Sequence, residues 1–115
     1  MNRPTRFYSN RQEKAVAKVI GGRQTPNSGA TPWAKGDVVA DEWLIECKTT
    51  TSPKESFSVK KAWLEKNKEE AFSVGKSYSA LCFDFGDNGN RYYVVDEKTF
   101  KTMKEAMSNE TDKQI

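Results

Sequence analysis

Gly36-Asp37-Val38-Val39-Ala40-Asp41-Glu42-Trp43-Leu44-Ile45-Glu46-Cys47-Lys48-Thr49-Thr50 is the stretch whose reading decides the fold. Two apolar runs, Val38–Ala40 and Trp43–Ile45, flank the polar pair Asp41-Glu42, the pattern of a tight β-hairpin. Asp-Glu is not a favoured hairpin turn, yet any even-numbered loop centred there gives one register. Ala40 then faces Trp43, Val39 faces Leu44, Val38 faces Ile45 and Asp37 faces Glu46. Opposed residues share a side of the sheet, and Lys48, two residues beyond Glu46, joins them. Trp43, Ile45, Cys47 and Thr49 point the other way.

One side of the hairpin therefore gathers two carboxylates and an ammonium. Opposed carboxylates repel unless a divalent cation sits between them. Mg²⁺ takes hard oxygen ligands and keeps several waters, so two carboxylates and a phosphate oxygen suffice to hold it. Such a site activates a water, which Lys48 could orient or deprotonate. The plainer reading is a surface strand with scattered charges, since Glu-x-Lys is common; Asp37 at a register opposite Glu46 is what raises the catalytic reading.

Outward from the hairpin, the 115 residues suit one domain with a modest core. Charged residues make up 30% and hydrophobic ones 36%, and no run is long enough to span a membrane. The first twenty residues lack the apolar centre of a signal peptide, so a cytoplasmic location is expected, or a host cytoplasm for a viral chain. Cys47 and Cys82 both lie in apolar runs and read as buried reduced thiols. There is no histidine, which excludes histidine-based nucleases, serine–histidine hydrolases and imidazole-ligated zinc.

The net charge of +3 conceals an asymmetry. Residues 1–36 carry seven basic side chains and one acid, Glu13, for a net +6, whereas residues 37–115 sum to −3. A basic first third suggests a phosphate-rich partner. Arg11, Lys14, Arg23 and Lys35 are its candidate DNA contacts; a solvated tail is the alternative.

Ser9-Asn10-Arg11-Gln12 has capping-box form, and Ala15, Val16, Val19 and Ile20 follow at helical spacing until Gly21-Gly22. A first helix over about residues 10–20 is expected, with residues 1–8 a flexible tail. Glu13 shares a face with Val16, Ala17 and Ile20, so it either snorkels out or meets a cation. Residues 21–36 read as a long loop, with a short strand near its end; Ser28-Gly29-Ala30 would let a phosphate backbone approach, and Trp33 could stack on a base or pack beneath the loop.

Past the hairpin, Ser58 is a plausible N-cap for a helix to about Val74, closed by Gly75, with Val59, Ala62, Trp63, Ala71 and Val74 as its apolar side. Lys54, Lys60 and Lys61 near its start are candidate phosphate contacts. Tyr78–Phe85 reads as a strand with Leu81, Phe83 and Phe85 on one face and Ala80 and Cys82 on the other. Asp87-Asn88-Gly89-Asn90 is a turn and Arg91–Val95 the returning strand. Asp96 can cap a last helix over roughly 97–107, carrying Phe100, Met103 and Met107 on one side. Residues 108–115 read as a disordered tail, leaving 9–107 as the domain.

In order, Glu13 on a helix, the Ser28-Gly29 loop, Asp37 and Glu46-x-Lys48 resemble the PD-(D/E)XK nuclease superfamily, most closely the archaeal-type Holliday junction resolvases and their phage relatives. The resemblance covers about residues 9–85; Gly36 stands where that family often has proline. It implies a single-domain α/β fold, restriction-endonuclease-like, with an αβββαβ core, a mixed central sheet and, here, a C-terminal helix. It also implies a metal-dependent phosphodiesterase. Asp37, Glu46 and the backbone carbonyl of Cys47 would hold Mg²⁺, with Mn²⁺ able to substitute. Lys48 would position the attacking water, Glu13 would bind a second metal or support the first through water, and Ser28 would help place the scissile phosphate. The expected partners are branched DNA, typically a four-way junction, and a second copy in a homodimer. The rival readings are another nuclease of the superfamily (nickase, restriction-type or repair), a DNA-binding module without catalysis, and a structural protein with chance charges.

Overall fold

The alternating run Trp43–Lys48 forms the central strand, and β2, β4, α1 and α2 all pack against it. The computed structural model describes residues 5–25, 37–86 and 90–113. Its elements are α1 (Thr5–Ile20), β1 (Arg23–Gln24), β2 (Asp37–Ala40), β3 (Trp43–Lys48), α2 (Lys61–Ser73), β4 (Tyr78–Phe83), β5 (Tyr92–Val94) and α3 (Glu97–Lys113). The five strands form one mixed sheet in the order β1-β2-β3-β4-β5. All neighbours are antiparallel except β3 and β4, which α2 connects as a crossover.

The hairpin has the expected register: Asp37 pairs with Glu46, Val38 with Ile45, Val39 with Leu44 and Ala40 with Trp43. Asp41 makes the two-residue turn at φ +50°. Alternation then sorts β3 between two layers. Ile45 joins Val16 and Ala17 of α1, Val38, Ala80 and Cys82 in the buried core, with Trp43 and Cys47 packed against it. Leu44, Glu46 and Lys48 face the α2 side.

Both α1 and α2 end in the same way. Gly21 (φ +71°) and Gly75 (φ +77°) take the left-handed conformation that other residues adopt only under strain. The next residues, Gly22 and Lys76, donate their N–H to Ala17 O and Ala71 O, each at 2.8 Å, which closes the helix ends.

Several sequence expectations are corrected. α1 begins at Thr5, so Ser9 lies inside the helix rather than capping it, and residues 5–8 belong to the helix. A short strand occurs at the start of the following segment, Arg23–Gln24; the expected strand near residue 36 falls outside the described residues. α2 starts at Lys61 behind an extended Lys60, not at Ser58. Phe57 stacks on Phe83 (centroids 4.5 Å apart), and the N–H of Lys54 donates to Phe85 O at 2.8 Å, so residues 54–57 run beside β4 and its continuation. The buried side of α2 is Asn67 and Ala71, whereas Val59 and Val74 are exposed. β4 ends at Phe83, and its returning partner is Tyr92–Val94. Most of the expected turn at 87–90 lies outside the described residues. α3 continues to Lys113, so residues 108–113 are helical rather than a disordered tail. Asp96 does cap it: the Thr99 N–H donates to Asp96 Oδ1 at 2.8 Å.

Candidate active site

The polar residues converge at the carboxyl ends of the parallel pair β3 and β4, where open α/β sheets commonly bind ligands. On the α2 side, Lys48 Nζ lies 3.3 Å from Glu46 Oε1, with 30% and 20% of the two side chains exposed. The same ammonium sits 4.3 Å above the centroid of the Trp63 ring, and Lys60 Nζ lies 5.5 Å from it. An indole face attracts a cation, so Trp63 fixes the direction in which Lys48 points. By register, Asp37 stands directly opposite Glu46.

Glu70 of α2 is an acid that sequence reading passed over. Its side chain is only 13% exposed and lies 3.9 Å from Lys66. Burial pushes its carboxyl above the ordinary value; Lys66 pulls it down, the Glu46 carboxylate pushes it further up, and Lys48 opposes. Glu70 thus shares an electrostatic neighbourhood with Glu46 and Lys48. Its signal in the sequence was the heptad spacing from Trp63, hidden because Lys66 at i−4 made it look like a solvated helix pair.

The α1 side supplies a second polar group. Gln12 and Glu13 are 4% and 6% exposed, so Glu13 does not snorkel into solvent. Gln24 Nε2 donates to Glu13 Oε1 at 3.1 Å. Thr49 Oγ1 donates to Gln12 Oε1 at 2.5 Å, and Gln12 Nε2 donates to Asp84 Oδ2 at 3.4 Å. Thr50 Oγ1 donates to Asp84 O at 3.0 Å. These bonds tie the first half of α1 to the residues that follow β3 and β4. A buried carboxylate is costly unless it is hydrogen-bonded, paired or bound to a cation, and Glu13 has Gln24 as one such partner. Glu13 and Glu46 approach the strand ends from opposite faces of the sheet.

Gly86 closes this end of the molecule. A Cβ there would lie 2.3 Å from Ser52 O, so only glycine lets the chain after Lys48 run against the chain after Phe83. Cys47 and Cys82 are register partners and both are free thiols. The Cys47 side chain hydrogen-bonds Cys82 and lowers its thiol from the ordinary value, against its burial. The adjacent Tyr93 is pushed up to about 12, chiefly by burial.

The basic candidates separate. Arg11, Lys14 and Lys18 are exposed at i, i+3 and i+7, a stripe along one side of α1. Arg23 is exposed on the edge strand β1. Lys54 and Lys60 are exposed, Lys60 beside the Trp63 ring, whereas Lys61 pairs with Glu65 at 3.5 Å. Ser28 and Lys35 fall outside the described residues. Among the described residues, no group of three or more Cys, Asp or Glu is arranged to hold a metal ion. By residue type, Glu46, its register partner Asp37 and the backbone carbonyl of Cys47 offer oxygen donors, the kind that suits Mg²⁺ or Mn²⁺ rather than a thiophilic ion. No helix of the described residues is long and apolar enough to cross a membrane. Comparison with protein-family models, curated proteins and solved structures finds no match for this chain.

Proposed function

We propose that the protein is a metal-dependent endonuclease acting on branched DNA, resolving four-way junctions as a homodimer. The observation that carries the reading is the hairpin register, which sets Asp37 against Glu46 with Lys48 on the same side of the sheet. The element order α1-β1-β2-β3-α2-β4 also supports it, being that of the αβββαβ core which the resemblance to PD-(D/E)XK nucleases implies.

In this reading Asp37, Glu46 and the Cys47 carbonyl hold Mg²⁺. The ion, when bound, offsets the carboxylate and phosphate charge and lowers the pKa of a bound water. Lys48 steadies the attacking water and donates to the phosphoryl oxygens, held in direction by Trp63. Glu13 supports the cation site from the α1 face, directly or through water, and Ser28 helps place the scissile phosphate. Arg11, Lys14, Arg23, Lys35, Lys54, Lys60 and Lys61 contact phosphates. Such contacts read backbone shape rather than base sequence, as a junction-selective enzyme requires.

The test is incubation of the protein with a synthetic four-way junction, a flap and a linear duplex, each with and without Mg²⁺. Symmetric cleavage of the junction that needs Mg²⁺ or Mn²⁺ is the expected result. Preferential cutting of the flap or linear duplex would reassign the substrate within the same chemistry. Binding of all three without metal-dependent cleavage of any would replace the enzyme by a DNA-binding module.

A further inference from the structure

Cys47, Cys82 and Tyr93 form one rung of the sheet across β3, β4 and β5: Cys47 pairs with Cys82, and Cys82 with Tyr93. Directly paired residues point to the same side of a sheet. Here that is the α1 side, where Cys82 belongs to the apolar core and Cys47 packs against it. The two thiols hydrogen-bond each other, and the Tyr93 side chain hydrogen-bonds Cys82 as well. Neither sulfur has a part in the proposed nuclease site. Cys47 would give that site only its backbone carbonyl, and Glu46 and Lys48 lie on the opposite face of the sheet.

The rung has the dimensions of a cross-link. Neighbouring strands are about 4.8 Å apart, inside the roughly 4.4–6.8 Å of Cα separation that a disulfide spans. Rotation about the two Cα–Cβ bonds therefore suffices to join the sulfurs, with the strands left in place. The pair is also asymmetric. Cys82 is 0% exposed, whereas Cys47 is half-buried. A small oxidant from solvent meets Cys47 first, and a sulfenic acid formed there already touches a second thiol that can condense with it.

We propose that Cys47 and Cys82 are a reversible dithiol–disulfide pair, oxidised by a hydroperoxide, whose bond staples β3 to β4. With hydrogen peroxide, the Cys47 sulfur attacks one oxygen and the O–O bond breaks. The leaving oxygen takes the thiol proton and departs as water, and Cys47 becomes a sulfenic acid. The Cys82 sulfur then attacks the Cys47 sulfur. The S–S bond forms, the S–O bond breaks, and the hydroxyl leaves with the Cys82 proton as a second water. The two sulfurs give up two electrons and the peroxide takes both. A dithiol reductant reverses the change by thiol–disulfide exchange. The bond closes a loop that holds all of α2 with Lys48, and a denatured chain with that loop closed has less entropy to gain. The inference does not depend on the nuclease reading, and its test counts thiols and mass rather than cleavage.

The experiment treats the reduced full chain, folded in buffer, with a stoichiometric amount of hydrogen peroxide. Intact mass should fall by two hydrogen atoms, with the chain still migrating at its own 13.0 kDa in a non-reducing denaturing gel. The thiols titrated after denaturation should fall from two per chain to none, and dithiothreitol should restore both. The urea midpoint should rise on oxidation and return on reduction. Cys47→Ser should keep its remaining thiol through the same treatment, because Cys82 is closed to solvent. Cys82→Ala should stop at the Cys47 sulfenic acid, which dimedone traps. Two thiols surviving in the wild-type chain would overturn the proposal, and so would a mass gain of oxygen atoms or a link between two chains. A bond that left the midpoint unchanged or lowered it would overturn the staple. The wild-type mass and thiol count decide the matter even if a variant fails to fold.

Discussion

The two faces of β3 make opposite use of one strand. Ile45 is 3% exposed in an apolar layer with Val16, Val38 and Ala80, and no charged side chain belongs to that cluster. On the α2 face the neighbouring residues Glu46 and Lys48 pair within reach of Trp63 and Glu70. The apolar face fixes where the strand lies, and that rigidity lets the polar face hold like charges close together. On the proposed reading, such a site gains its precision from residues that never touch the substrate.

The comparison breaks most severely at Ile45. Ile45→Ala removes a core side chain and should cost about 2–5 kcal/mol of stability, a large share of the roughly 5–15 kcal/mol typical of a domain. Urea denaturation would measure it, and cleavage would fall only in proportion to the folded fraction. Glu46→Gln, one residue along on the other face, should do the reverse. Cleavage of the junction should drop by about 10²–10³ or more, with the denaturation midpoint little changed and junction binding kept or tightened. A variant that cut at the native rate would remove Glu46 from the site.

Glu13→Gln sharpens the contrast, because Glu13 approaches from the apolar side. On the proposed reading, in which this buried carboxylate serves a cation, its loss should also lower cleavage by about 10²–10³ and raise the Mg²⁺ concentration for half-maximal rate. A purely structural Glu13 would leave the Mg²⁺ dependence unchanged and shift only stability. Asp96→Ala should be milder, costing about 1 kcal/mol through loss of the α3 cap. The Asp96 carboxyl lies below its ordinary value, chiefly through its hydrogen bonds with Thr99. Its stabilisation is therefore complete above the ordinary carboxylate range and lost as pH falls through its depressed value, so the variant and the parent should converge in acid. The smallest effect belongs to Glu70→Gln. The Glu70 carboxyl titrates above its ordinary value, so its ionised form weakens the fold as pH rises through that window. Removing the charge should raise stability at neutral pH within about 0.5 kcal/mol, and the gain should vanish below the carboxylate range.

The hairpin was legible in the sequence because a two-residue turn and strict alternation leave one register, and Asp37, Glu46 and Lys48 follow from it. The ends of α1 and α2 were legible because Gly21 and Gly75 act through local backbone freedom. What escaped depends on partners distant in the chain. The box Ser9–Gln12 is a sound local cap, but the helix continues upstream to Thr5, and Gln12 turns instead to Thr49 and Asp84. Ser58 lost its helix to the stacking of Phe57 on Phe83, a contact between elements far apart in sequence. Residues 108–113, Ser-Asn-Glu-Thr-Asp-Lys, contain no apolar residue and so gave no period, yet a helix already begun after Asp96 propagates through them.

The parallel seam between β3 and β4 has a kinetic consequence. β2 and β3 pair across two residues, but the first rung of the seam, Trp43 to Tyr78, joins positions separated by the whole of α2. Closing such a loop costs chain entropy before any contact rewards it. The hairpin should accordingly form early, and β4 should dock against it later, with α2 already turning above. Both the apolar layer and the polar face at the end of β3 need that docking, so neither is complete in a half-folded chain. In exchange measurements the amides of Leu44–Cys47 and Ala80–Cys82 should open together, as one unit and last of all.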